Sequence, residues 1–217
     1  MSAASTIVNK RKRVDEDADM GAEGTQFKVY QGLLAMQSAI FGDMFAIPPP
    51  STGQDQVEGC PLVHLSDTSA DLAFVLEAIF LRKWVATGEP MPIEVVAAFL
   101  RLGNKYEIEA LRAEAPKRLL FEFPSERAIL DEHIYPVDRR GTMIELADWT
   151  FINVTNLARE QNLLSVLPLA LYSCCRMWNA PDLEQGQRRA DNSLATLSPV
   201  NEHACFRAYC QRLCWCL

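Results

Sequence analysis

The sequence predicts a mixed α/β fold of the α+β kind: a small sheet flanked by helical hairpins, followed by an α-helical C-terminal extension. Three observations carry this expectation. Residues 25–30, Thr-Gln-Phe-Lys-Val-Tyr, alternate polar and apolar, the period of a half-buried strand. A second short apolar run, Pro61-Leu62-Val63-His64-Leu65, reads as a buried strand. Around and after these runs apolar residues recur at helical spacing, with no repeated strand–helix–strand unit.

Taken in order, residues 1–22 read as a disordered tail, rich in Ser, Ala, Asp and Glu. The first strand follows, and Gly32 punctuates it. Leu33, Leu34, Met36 and Gln37 open a short helix ending near Ser38, whose hydroxyl can cap the next helical run. That run carries Ile40, Phe41, Met44 and Phe45 on one face and stops at Pro48-Pro49-Pro50, because proline cannot continue a helix. Residues 48–59 read as a polar loop. After the second strand, Ser66-Asp67-Thr68 supplies capping residue types ahead of the stripe Leu72, Val75, Leu76, Ile79 and Phe80. A helix starts near Pro92 with the stripe Val95, Val96, Phe99 and Leu100; Asn104-Lys105-Tyr106 reads as a turn. Another helix carries Ile108, Leu111, Ala115 and Leu119 and ends near Phe123-Pro124. Beyond a mixed polar stretch at 125–142, helical patterns cover 144–161 and 164–178, a charged linker covers 181–191, and the tail from Asn201 is helical. The expected core of the first half is Phe27, Val29, Phe41, Met44, Phe45, Leu62 and Leu65.

Composition narrows the function classes. The chain has 217 residues, 49% of them hydrophobic, enough for one sizeable core. A net charge of -7 argues against direct nucleic-acid binding by the body of the chain. No apolar run approaches the roughly 18 residues of a membrane span, and the polar N-terminus lacks the apolar core of a secretory signal. A nuclear or cytoplasmic location is therefore expected. Lys10-Arg11-Lys12-Arg13 has two readings: a nuclear-import run on an exposed tail, or a solvated charge run.

Seven cysteines, six of them at or after Cys174, do not resemble a secreted disulfide framework, and reduced buried thiols are expected. Cys205, Cys210, Cys214 and Cys216 cluster near the end beside His203. Cys210 and Cys214 would share a helix face, yet zinc prefers paired short spacings with two further ligands, so incidental thiols are the expectation and no metal is assigned. No catalytic set emerges. His64, Ser66 and Asp67 lie too close along the chain to converge as a triad; His133 and His203 stand alone; there is no phosphate-binding Gly-rich loop. Neither a catalytic residue nor a cofactor is assigned, and the chain is expected to be non-enzymatic.

Several separated motifs occur in a telling order: Glu-Gly-Thr-Gln-Phe-Lys-Val-Tyr at 23–30, Gly32-Leu33-Leu34, Ser-Ala-Ile-Phe-Gly-Asp-Met-Phe at 38–45, Cys-Pro-Leu-Val-His-Leu-Ser-Asp at 60–67, Leu-Arg-Leu-Gly-Asn-Lys-Tyr-Glu-Ile at 100–108, and Leu111-Arg112. Together they resemble a BTB/POZ domain, and more narrowly the BTB proteins of mushroom-forming fungi. The stretch from Asn156 to Cys174 resembles the helical extension of the same set. The resemblance implies a BTB/POZ domain at 23–123 and a helical extension at 124–217. It implies a module that binds other proteins, through homo- or hetero-association, as an adaptor to a cullin-type ubiquitin ligase, or alternatively as a nuclear regulator recruiting corepressors. It places a candidate self-association surface on the first helix, at Leu33, Leu34 and Met36.

The sequence departs from that pattern in places. Residues 17–22, Asp-Ala-Asp-Met-Gly-Ala, have almost no strand character where the family opens with an apolar strand, so the first strand is expected to be truncated or missing. A weak homodimer follows as the expectation. Tyr30 stands where histidine is common, and Pro116 interrupts a helix at a cost of roughly 3 kcal/mol if interior. The ending at Cys216-Leu217, within a helical pattern, leaves an incomplete gene product open.

Overall fold

The computed structural model describes residues 17–47, 56–57, 60–85, 88–125, 142–189 and 191–215. The run 10–13 and His133 lie outside them. The fold class is mixed α/β, as the sequence predicts. Its sheet has the order β2-β1-β4-β3, built from β1 (Asp17–Ala22), β2 (Thr25–Tyr30), β3 (Gln56–Val57) and β4 (Cys60–His64).

The first strand is the principal correction. Neither truncated nor missing, β1 is an inner strand, paired antiparallel with all six residues of β2 and parallel with β4 through Asp19, Met20 and Gly21. Ladders on both edges and burial of Met20 and Ala22 outweigh its poor intrinsic propensity. Residues 17–22, inside the stretch expected to be tail, thus belong to the sheet. Positive φ at both Glu23 and Gly24 makes the two-residue β1–β2 turn. The Glu23 carboxylate then accepts from the backbone N–H of Ser69, a charge placed at the start of the third helix.

The helix pair is α1 (Gln31–Gln37) and α2 (Ala39–Ala46). Ser38 is the joint: its N–H ends α1 on the Leu34 carbonyl, and its hydroxyl accepts from the Phe41 N–H at 3.1 Å to start α2. Next come α3 (Ser69–Leu81), capped by Thr68, and α4 (Ile93–Lys105). Nearly every face of α4 is buried. The expected turn at 104–106 falls later, at Tyr106-Glu107, because α4 runs on through Lys105. Helix α5 (Glu109–Glu122) packs on α4, and a Cβ at Gly103 would come within 3.2 Å of Leu111 Cβ. Pro116 does lie inside α5.

The second half departs further from its periodicity. Helix α6 (Thr150–Glu160) starts well after residue 144, because Ile144 is engaged in a parallel bridge with Met91. Helix α7 (Leu167–Met177) carries Pro168 in its first turn. Where a charged linker was expected lie α8 (Ala180–Gln185), capped by Asn179, and β5 (Gln187–Arg188), which pairs in a hairpin with β6 (Leu194–Ala195) just beyond it. At Gly186, φ is +77° and a Cβ would meet the Ala195 carbonyl at 2.5 Å, so only glycine fits. Helix α9 (Pro199–Trp215) forms as expected. The polar loop at 48–59 contains β3.

One cluster unites the two halves. Val29, Leu34, Phe41, Leu72, Phe99 and Leu111 pack with Val154, Leu157, Val166 and Ala170 of the extension. A smaller cluster joins Ile152, Cys174, Leu183, Leu197 and Cys205. Among the expected core residues, Val29 and Phe41 are buried, while Phe27, Met44, Phe45 and Leu65 are half-buried against the main cluster. Leu62 is half-buried in β4.

Candidate functional site

The helix pair presents two faces. Inward, Leu34 and Phe41 are buried, and the Phe41 ring stacks on Tyr106 with centroids 4.4 Å apart. Outward, Met36 is 81% exposed, and Ile47, just past α2, is 70% exposed. Leu33 is half-buried. The expected self-association triplet therefore divides. Met36 stands on the surface, but Leu34 is 0% exposed and belongs to the chain's own core, because it lies on the α1 face turned inward. Of the three, Leu34 offers nothing to a partner.

Behind this pair a polar joint sets its position. The Ser38 hydroxyl donates to the Tyr106 carbonyl at 2.5 Å while accepting from Phe41 N–H. The Tyr106 hydroxyl bonds the Asp67 carboxylate, and Lys105 Nζ reaches Asp67 at 2.7 Å and Ser66 Oγ at 3.1 Å. Burial first, then the bond to Asp67, raises the Tyr106 hydroxyl above its ordinary range, so it stays a donor at any physiological pH. Ser66 and Asp67 are engaged by Lys105, and His64 sits exposed at the end of β4. A shallow cleft of about 240 Å³ borders His64, lined also by Gly21, Glu23, Thr25, Leu62 and Leu65.

A second feature was not found from the sequence. Arg118 is 1% exposed. Its guanidinium donates to the carbonyls of Glu89 at 2.7 Å, Met143 at 2.9 Å and Trp84 at 3.2 Å, and to Glu114 Oε1 at 2.7 Å. Glu122, one turn on, accepts from the Met143 N–H at 2.5 Å. Two charged side chains of α5 thus hold the strand-like segment at 143–145, which also exchanges backbone bonds with Met91. A signal existed: Arg118 and Glu122 fall on the stripe of Leu111 and Ala115, where solvated charges do not belong. Trp84, whose carbonyl Arg118 engages, has a φ of +70°, and its buried indole N–H has no partner among the described residues.

The cysteines divide as well. Cys60, Cys174 and Cys205 are buried and Cys175 is half-buried. Cys210 and Cys214 belong to α9 by backbone, but their side chains, like Cys216, lie outside the described residues. Among the described residues no group of three or more His, Cys, Asp and Glu side chains is placed to hold a metal ion. His203 is exposed on α9.

What the fold and these sites define is a mixed α/β chain with a small sheet, a helix pair exposing apolar side chains, and a helical extension sharing its core. No protein-family model matches the chain, and no curated protein matches it. No helix among the described residues is long and apolar enough to cross a membrane.

Proposed function

We propose that this chain is a non-enzymatic protein-interaction module of the BTB/POZ type. One observation carries the reading: the helix pair buries Leu34 and Phe41 on one face while exposing Met36 and Ile47 elsewhere. Large apolar side chains that exposed contribute nothing to the chain's own core and suit a protein partner. The element order supports it too. A strand hairpin, a helix pair, a returning strand and a helical run follow one another where the BTB-like motifs lie in the sequence. Partners are other proteins, including a second copy of the chain, and the location is nuclear or cytoplasmic.

Affinity purification of the full chain from native cells, with mass spectrometry, tests the reading. Loss of specific partners on Met36→Glu with Ile47→Glu, in a chain that still unfolds normally, is the expected result. Enrichment of a cullin assigns the ligase-adaptor role; enrichment of chromatin proteins assigns the corepressor role. A partner set unchanged by both substitutions overturns the surface, and a turnover activity abolished at His64 or Ser66 overturns the class.

A further inference from the structure

We propose that Lys83-Trp84-Val85, just past α3, is a strap that opens locally while the rest of the chain stays folded, a conformational device latched by the Trp84 carbonyl on Arg118. Two anomalies meet at Trp84. Its φ of +70° lies in the left-handed region, which is strained for a bulky aromatic residue. Arg82 is left-handed too, at +53°, but for an ordinary reason: the Lys83 N–H returns to the Glu77 carbonyl at 3.4 Å and so closes the end of α3. Trp84 has no helix end to close. In addition, its buried indole N–H makes no hydrogen bond among the described residues. A buried donor without an acceptor carries the full cost of its lost hydration.

Both penalties belong to the closed strap, and opening removes both. The backbone relaxes out of the left-handed region, and the indole N–H reaches water. Strain of this kind persists only where surrounding contacts hold it in place.

The contacts that hold it are few and local. Trp84 and Val85 are half-buried against the edge of the main core. The Trp84 carbonyl accepts from Arg118 Nη2 at 3.2 Å. That bond is longer than those the same guanidinium makes to Glu114 and Glu89, both 2.7 Å, and to Met143, 2.9 Å. On the outer side, Lys83 Nζ lies 4.9 Å from the centroid of the Trp84 ring and pairs with Glu77 at 2.8 Å. When the Trp84 carbonyl leaves, Arg118 keeps its other three partners. The strap therefore opens without unfolding α4 or α5. It withdraws one acceptor from the cation that holds the segment at 143–145, and so links the end of α3 to that segment.

Native-state hydrogen exchange of the full chain, followed by NMR at increasing sub-denaturing urea, tests the strap. Loss of a resonance in Trp84→Phe identifies the indole N–H; if that variant does not fold, the resonance that moves most in Lys83→Met identifies it. The Trp84 indole should show protection at least about a hundredfold lower than the amide of Phe99, which lies fully buried in α4. Its exchange should also be almost independent of urea, because a local opening exposes little surface. Lys83→Met removes the cation from above the ring at a solvent-exposed position. It should speed indole exchange about two- to fivefold and leave Phe99 unchanged. The proposal is overturned if the indole and Phe99 share one protection and one urea dependence, since Trp84 would then be released only by global unfolding. It is equally overturned if Lys83→Met leaves indole exchange unchanged or slows it.

Discussion

The guanidinium of Arg118 in α5 donates to the Met143 carbonyl at 2.9 Å, with the same nitrogen also reaching the Glu89 carbonyl. One buried cation therefore ties the loop before α4 and the segment at 143–145 to a single helix. Arg118→Met would strip the donors from these carbonyls and leave Glu114 without its partner. We expect a loss of about 3–5 kcal/mol in urea unfolding, the scale for breaking a buried charged network. Arg118→Lys should recover only part, since an ammonium lacks the planar fork. A loss under about 1 kcal/mol for the methionine variant would show that the clamp is dispensable.

Ser38→Ala removes the cap of α2 and the donor to the Tyr106 carbonyl in one step. The expected cost is about 1–2 kcal/mol. Chemical denaturation followed by circular dichroism measures it, and an unchanged midpoint would show that water replaces both bonds.

Arg101 on α4 grips Glu160 at the end of α6 through two bonds, 2.7 and 2.9 Å long. The two side chains are 41% and 43% exposed, so a double-mutant cycle should return about 0.2–1 kcal/mol, shrinking with added salt. The pH dependence has a definite sign. Hydrogen bonding to Arg101 holds the Glu160 carboxyl below its ordinary range. Its contribution is therefore present above the unfolded value of about 4.3 and is lost as pH falls through the lower folded value. Coupling that persists unchanged in strong acid would contradict the assignment.

Self-association separates the two kinds of α1 residue. The sequence leads to a weak dimer because an exchangeable first strand looks absent. In the structure β1 is present but held on both edges within its own sheet, so exchanging it would break two ladders. A concentration-dependent monomer–dimer equilibrium remains the expectation, now resting on the exposed helix-pair surface. Met36→Glu should shift light scattering toward monomer and change unfolding by no more than about 0.5 kcal/mol. Leu34→Ala should instead destabilise the fold by about 2–5 kcal/mol. A dimer stable to nanomolar dilution and indifferent to Met36→Glu would place the contact elsewhere.

Local chemistry was enough for the early elements. The alternation of residues 25–30, Ser38 between two helical runs, Thr68 before α3 and the prolines around 48–50 and at 92 each act over a few residues. A single sequence therefore reveals them, and the helices from α1 to α5 fall where their stripes point. Tertiary structure decided what depends on distant partners. Asp-Ala-Asp-Met-Gly-Ala is a strand only because β2 and β4 flank it with ladders, and Ile144 left its helical pattern because Met91 offered a bridge. Leu33, Leu34 and Met36 look alike in the sequence; the core beneath α1 made Leu34 interior and left Met36 outside. Arg118 shows the same limit from the other side. Its stripe position was visible, but its carbonyl partners, 25 to 34 residues away along the chain, come within reach only after the helices pack, and without them the buried charge would be too costly to keep.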